Sequence, residues 1–288
     1  MPRSSGAAPT IIFPHFGKTG GATLRRIIPR NFPSSEVLAL RNPSSAPNGF
    51  LSRLPIERFA EMPEPERERP RFIMAHMMVG LHEFVPRPST YITLLRNPVS
   101  RVISGYKNAR YSPDHRFHET VASQDLDLEG YLRSGLALEM DNSQVRALVG
   151  DTTTPYGSCS AEMLEHAWRT IHERFSVVGI AERFDETVVL LGRVFGWSKL
   201  HYVVASVSPH HIARSEILPG TIRLIEEWNR FDIELYERAL RMLEERIEAD
   251  PDFDRDLERF RRENARYRVW GTLSYSIPSQ LRAKLRRA

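Results

Sequence analysis

The sequence predicts an α/β fold, a parallel sheet flanked on both faces by helices in three layers. Two observations carry this. Short apolar, β-branched runs recur along the chain, and stretches of helical period separate them. The first run feeds a glycine-rich loop and then a helix, a unit typical of parallel sheets. At 288 residues, with no internal repeat and no clear linker, the chain is expected to form one domain over residues 1–288.

Thr10–Phe13 reads as a buried strand. His15-Phe16-Gly17-Lys18-Thr19-Gly20-Gly21 is a loop, and Leu24, Ile27 and Ile28 at helical spacing start a helix near Ala22 that ends before Pro33. Residues 41–70 hold six prolines and read as an irregular excursion with one short helix near Pro55–Ala60. Arg71–Ala75 is the second strand and Tyr91–Leu95 the third. Arg96-Asn97-Pro98 then sets Pro at the start of a helix carrying Val99, Val102, Ile103 and Tyr106. Lys107–Asp127 is polar and weakly periodic, and is expected to be a mobile loop beside the site. Helices follow over 127–134, 142–149 and 161–174, then a fourth strand, Phe175–Ile180, then helices over 185–195, 219–247 and 252–266.

Hydrophobic residues at 41% and charged residues at 26% fit a packed core with a solvated surface. One cysteine, Cys159, excludes an internal disulfide and any multi-cysteine zinc site. Its place in a turn before a helix suits a filler or cap better than a nucleophile. No window approaches the length of a membrane helix, and the N-terminal residues lack a signal-like apolar run, so a reducing, cytoplasmic setting is expected. The net charge is +4, and Arg282, Lys284, Arg286 and Arg287 in the tail 281–288 account for all of it. The basic balance is therefore a property of the tail and gives little support to nucleic-acid binding by the whole domain. The tail reads as solvated, with weak membrane-surface contact as the alternative. Nothing in the sequence fixes the oligomeric state.

The Lys18 loop is the first chemical motif. Gly20 and Gly21 let the backbone approach a phosphate, the following helix turns N–H groups toward it, and Lys18, Thr19 and Thr23 add a charge and hydroxyl donors. An ordinary ATPase loop would need glycine at position 12, where Ile12 stands. Arg96 ends a strand and Ser104 lies two turns into the next helix, a spacing that lets both face one phosphate.

These residues also carry a resemblance. His15-Phe16-Gly17-Lys18-Thr19-Gly20-Gly21-Ala22-Thr23-Leu24 resembles the H-x-P-K-T-G-G-T-T-L loop of sulfotransferases related to the heparan sulfate 2-O- and 6-O-sulfotransferases. Thr93–Tyr106 resembles their L-L-R-D-P-x-x-R-x-x-S-x-Y segment. Asp141–Arg146, Val178–Glu186, Trp228-Asn229 and Asp232–Tyr236 give supporting similarity, so the likeness runs from about Ile11 to Ala239. It implies a P-loop-kinase-like sulfotransferase fold and a donor, 3′-phosphoadenosine 5′-phosphosulfate (PAPS), that leaves as adenosine 3′,5′-bisphosphate (PAP). Lys18, Thr19, Gly20, Gly21, Ala22 and Thr23 would hold the 5′-phosphosulfate, and Arg96 and Ser104 the 3′-phosphate. Gly17 and Ala22 depart from the family pattern, where Pro and Thr or Ser are usual.

The family is similar in placing a histidine after the second strand, which here is His76. A histidine suits removal of the acceptor hydroxyl proton. His76 is the expected base, with His82 second and His15 third, and Lys18 would stabilise the leaving phosphate oxygen. The acceptor implied is a hydroxyl on a glycan or glycolipid. No metal is expected: His210-His211 are adjacent, and His115 and His118 lack a third ligand. Asp141, Asn142, Gln144 and Arg146 either line the cleft or cap a helix with a solvated face. The alternative is a nucleotide-dependent kinase, which would want an acidic metal ligand ending a strand. The apolar strands end instead at His76, Arg96 and Gly179.

Overall fold

The computed structural model describes residues 8–41, 51–205 and 214–276, without side chains from residue 270 onward. Five strands, β1 (Thr10–Pro14), β2 (Val37–Ala39), β3 (Phe72–Ala75), β4 (Ser89–Leu95) and β5 (Phe175–Ile180), form one sheet in the order β2-β3-β1-β4-β5. All pairings are parallel. β1 is buried along its whole length, as a central parallel strand covered on both faces must be. Its register sets Pro14 beside Ala75, so the carboxyl ends of β1 and β3 lie level.

The helices are α1 (Gly21–Ile27), α2 (Leu54–Ala60), α3 (Glu64–Glu68), α4 (Pro98–Tyr111), α5 (His118–Ser123), α6 (Leu128–Arg133), α7 (Ser143–Val149), α8 (Ala161–Arg174), α9 (Phe184–Phe195), α10 (Pro219–Trp228), α11 (Arg230–Glu248) and α12 (Phe253–Ser276). They flank the sheet, which is the three-layer arrangement expected. Its apolar core runs from Ile12, Phe13 and Ile73 to Val188, Leu235 and Phe253. A second apolar cluster joins α4, α5, α6 and α10 through Val102, Tyr106, Val121, Tyr131 and Ile225. No described helix is long and apolar enough to cross a membrane.

Several expectations need correction. Lys107–Asp127 is not one loop: α4 continues to Tyr111, and α5 is pinned by fully buried Val121, whose carbonyl accepts from Arg110 Nη1 at 3.1 Å. The 41–70 excursion, of which 42–50 lie outside the described residues, holds α3 as well as α2. The helical stretch 219–247 breaks at Asn229, whose buried side-chain amide donates to the Met140 and Ile225 carbonyls. α1 stops at Ile27 because Pro29 offers no N–H to continue it, and a 3₁₀ turn follows. The tail 281–288 and His210-His211 lie outside the described residues.

Candidate active site

Successive connections leave β1 in opposite directions, to β2 and β3 on one side and β4 and β5 on the other. In such sheets the crevice opens at the carboxyl ends of the strands where the order reverses. Those ends deliver His15 after β1, His76 after β3 and Arg96 after β4. The loop between β1 and α1 is held in a special conformation. Gly20 has φ +84°, a backbone that favours glycine, and Lys18 adopts φ +67° against its own Cβ. At Gly21 a Cβ would stand 2.1 Å from the His15 ring, so the loop closes over that ring only with glycine there.

The loop is also tied from within and from outside. Thr19 Oγ1 donates to the Phe16 carbonyl at 2.9 Å, so this hydroxyl braces the turn. Thr23 Oγ1 accepts the Ala205 N–H at 3.2 Å and keeps its own proton to donate. Ala22 is half-buried and adds no polar group. Arg96 Nη1 donates to the Lys18 carbonyl at 2.9 Å, which joins the end of β4 to the loop. The Arg96 backbone is itself clamped, since Gln144 Oε1 accepts its N–H at 2.8 Å and Gln144 Nε2 donates to its carbonyl at 3.0 Å.

Lys18 is half-buried and has no carboxylate partner among the described residues. Burial, then Arg96 and Lys107, hold its ammonium below the ordinary value. Ser104 is half-buried on α4, and Lys107 lies one turn further along the same face. That face of α4 therefore turns toward the loop. Lys107 escaped the sequence reading, although its spacing from Ser104 was a usable signal. Glu182, just past β5, was missed as a partner: it accepts the Asn97 N–H at 3.1 Å and lies 3.9 Å from Arg96 Nε. The cations Lys18, Arg96 and Lys107, with Glu182 beside Arg96, fit a multiply charged anion.

The three histidines weighed as base fall in different places. His76 Nδ1 lies 3.0 Å from the His15 carbonyl, which only accepts, so Nδ1 carries the proton and Nε2 the lone pair. Burial, reinforced by Arg25, pulls its pKa down to about 4, so the ring is neutral at pH 7. His15 is buried, its ring 4.1 Å from that of His76, and burial lowers its pKa well below the ordinary value. His82 Nδ1 meets the Tyr91 hydroxyl at 2.9 Å. Tyr91 sits toward the amino end of β4, opposite Phe175, the first residue of β5. His82 therefore lies toward the amino ends of the strands, away from the crevice. Electrostatically, Lys18 also reaches His115, which burial lowers to about 4. His115 accepts the Phe117 N–H while His118 meets the Ala109 carbonyl, so the two rings have separate partners. Among the described residues no group of three or more His, Cys, Asp or Glu is placed to hold a metal ion.

Behind Arg96 lies a buried polar network rather than a solvated cap, and Asp141 and Asn142 also line a small cavity. Asp141, Asn142, Gln144 and Arg146 are all buried. Arg146 Nη2 pairs with Asp141 at 2.5 Å, and Asn142, at φ +44°, accepts from the Phe231 and Asp232 amides. Cys159 is buried beside Asp141, and burial pushes its thiol up to about 12, which suits the filler reading.

The neutral buried histidines set a pH response. An unfolded histidine titrates near 6.5 and folded His76 near 4, so between those values the unfolded chain binds more protons. Folding stability should thus be intact above pH 6.5 and fall as pH drops toward 4. Thermal unfolding midpoints across pH 4.5–7.5 test this, and a flat profile would contradict it.

A family model described as galactose-3-O-sulfotransferase matches residues 1–271. Human galactose-3-O-sulfotransferase 3 is 28% identical over 243 residues, covering 79% of this chain and 54% of that protein. Human galactose-3-O-sulfotransferase 2 is 27% identical over 180 residues, 59% of this chain and 43% of that protein. The chain spans about half the length of the curated relatives it matches. Among solved structures, a sulfotransferase from Alicyclobacillus acidocaldarius covers 81% of this chain and 96% of its own, at 15% identity and TM-score 0.39. A mouse sulfotransferase solved with PAP covers 84% and 89%, at 14% identity and TM-score 0.42. The sulfotransferase resemblance read from the Lys18 loop and the Arg96 segment is met at that level, and the branch matched is the galactose-3-O one. The chain belongs to the galactose-3-O-sulfotransferase family.

Proposed function

We propose that this protein moves a sulfuryl group from PAPS to a hydroxyl of a galactose-bearing glycan. The observation that carries the reading is Lys18: its half-buried ammonium has no carboxylate partner among the described residues and lies within electrostatic reach of Arg96 and Lys107, and its carbonyl accepts from Arg96. The Lys18–Thr23 loop would hold the 5′ end of the donor, and Arg96 with Ser104 the 3′-phosphate. Neutral His76 takes the acceptor proton on Nε2 as the acceptor oxygen bonds to sulfur. The bond between sulfur and the 5′-phosphate oxygen breaks, its electron pair stays on that oxygen, and Lys18 stabilises the charge formed there. The products are a sulfate ester and PAP. The galactose acceptor rests on the names of the family and the relatives.

Calorimetry with PAP and with ATP plus Mg²⁺ tests the donor. PAP is expected to bind at least about tenfold more tightly, a difference of about 1.4 kcal/mol. Tight ATP–Mg²⁺ binding without PAP binding would favour the kinase alternative and overturn the proposal. Labelled donor with galactose-terminated oligosaccharides tests the acceptor. Label should appear on galactose, and transfer only to other alcohols would remove the galactose assignment.

A further inference from the structure

Arg25 is a residue for which neither the resemblance nor the family match supplies a role. It lies on α1, one turn past Gly21, and has no carboxylate partner among the described residues. Its Nη1 stands 3.4 Å from His76 Nε2. The His15 carbonyl has already fixed the tautomer, so Nε2 is the lone-pair nitrogen. An arginine only donates. The nitrogen that must receive the acceptor proton is therefore met, in this donor-free state, by a guanidinium N–H.

A base whose lone pair is occupied cannot take a proton, so Arg25 must move off Nε2 before transfer. Its charge then needs an anion within reach. The transferring sulfonyl must sit between the loop-held phosphate and the acceptor oxygen at His76 Nε2. Arg25 starts at that same nitrogen, so the sulfonyl oxygens are the nearest anionic group it could meet. We propose that Arg25 is a catalytic residue that rests on His76 and is drawn onto the sulfonyl oxygens of the donor. This rests on the sulfotransferase reading. Two consequences follow. The guanidinium stabilises the negative charge spread over those oxygens during transfer. The base also stays masked until the phosphosulfate arrives, so the donor must bind before the acceptor is deprotonated.

The test uses the full chain and three readouts. Arg25→Ala is expected to lower kcat by about a hundredfold. Its affinity for PAP, which has no sulfonyl, should stay within about threefold of the wild type, and added guanidinium ion should restore part of kcat. A purely structural role for Arg25 would not be rescued in this way. In the wild type, the ¹⁵N resonance of His76 Nε2 should move on adding adenosine 5′-phosphosulfate and stay put on adding adenosine 5′-phosphate. That measurement needs no variant, so it holds even where Arg25→Ala folds poorly. The proposal is overturned by near-normal kcat in the variant, by parallel loss of kcat and PAP affinity, or by equal resonance shifts with the two nucleotides. Wild-type PAP binding and labelled transfer are measured alongside. Their absence would sink the sulfotransferase reading itself, whereas an active wild type with an equally active Arg25→Ala would sink only the role of Arg25.

Discussion

His76→Ala is expected to lower the turnover of sulfuryl transfer by about 10²–10⁴-fold, the usual worth of a positioned general base. PAP affinity should stay within about threefold, because the residues assigned to donor phosphates lie on the loop and on β4 and α4. The effect is large because the ring is prepared for a single task. Its Nδ1 proton is held by the His15 carbonyl, and burial keeps the ring neutral. In the free protein its low pKa makes it a weak base, and a bound anion beside it would raise that value. His82→Ala is the control: with its Nδ1 against the hydroxyl of Tyr91, toward the amino end of β4, it should change turnover less than about twofold. Steady-state kinetics with labelled donor decide the matter. Normal turnover in His76→Ala would remove the assignment and turn attention to His15 or His115.

Asp232→Ala is expected to destabilise the fold by about 3–5 kcal/mol, the cost of breaking a buried charge pair from one side. Asp232 is fully buried, and its carboxylate accepts the Val145 N–H at 2.8 Å and the Gln144 N–H at 3.1 Å. Arg101, also buried, lies 3.9 Å away. The substitution strands two amides at the start of α7 and leaves Arg101 without its nearest carboxylate. The damage should reach the site, since Gln144 clamps the Arg96 backbone and Arg96 holds the Lys18 carbonyl. Urea unfolding reads the loss as a lower midpoint at unchanged slope. A loss below about 1 kcal/mol would mean that the network is not cooperative.

Much of this could be read in the sequence, for identifiable reasons. β1, β3, β4 and β5 are legible because their interiors are runs of buried apolar residues. β2 is not, because Val37–Ala39 is three residues long, lies at the sheet edge and is only partly buried. Lys18 and Arg96 are legible because strand-end motifs are contiguous in the chain. The bond between them joins residues 78 apart, and no local pattern carries it. Arg25 was hidden for the same reason: its partner His76 is 51 residues away. The Asp141–Arg146 stretch could be read as a cleft lining or as a cap with a solvated face, whereas its polar groups satisfy one another in the interior. Sequence pattern reports polarity, and only the folded chain shows which polar groups have found partners.

The central position of β1 bears on how the chain must assemble. β1 is made before both strands that flank it, yet Thr10 Oγ1 donates to a carbonyl 60 residues later, and Thr93 donates back to Pro14 across 79 residues. The strand cannot be paired on both sides until β4 has left the ribosome. Until then an apolar ribbon waits without its neighbours, a state prone to aggregation. The crevice is likewise a late product, because its walls come from the ends of three strands and Arg96 is the last of them to be made.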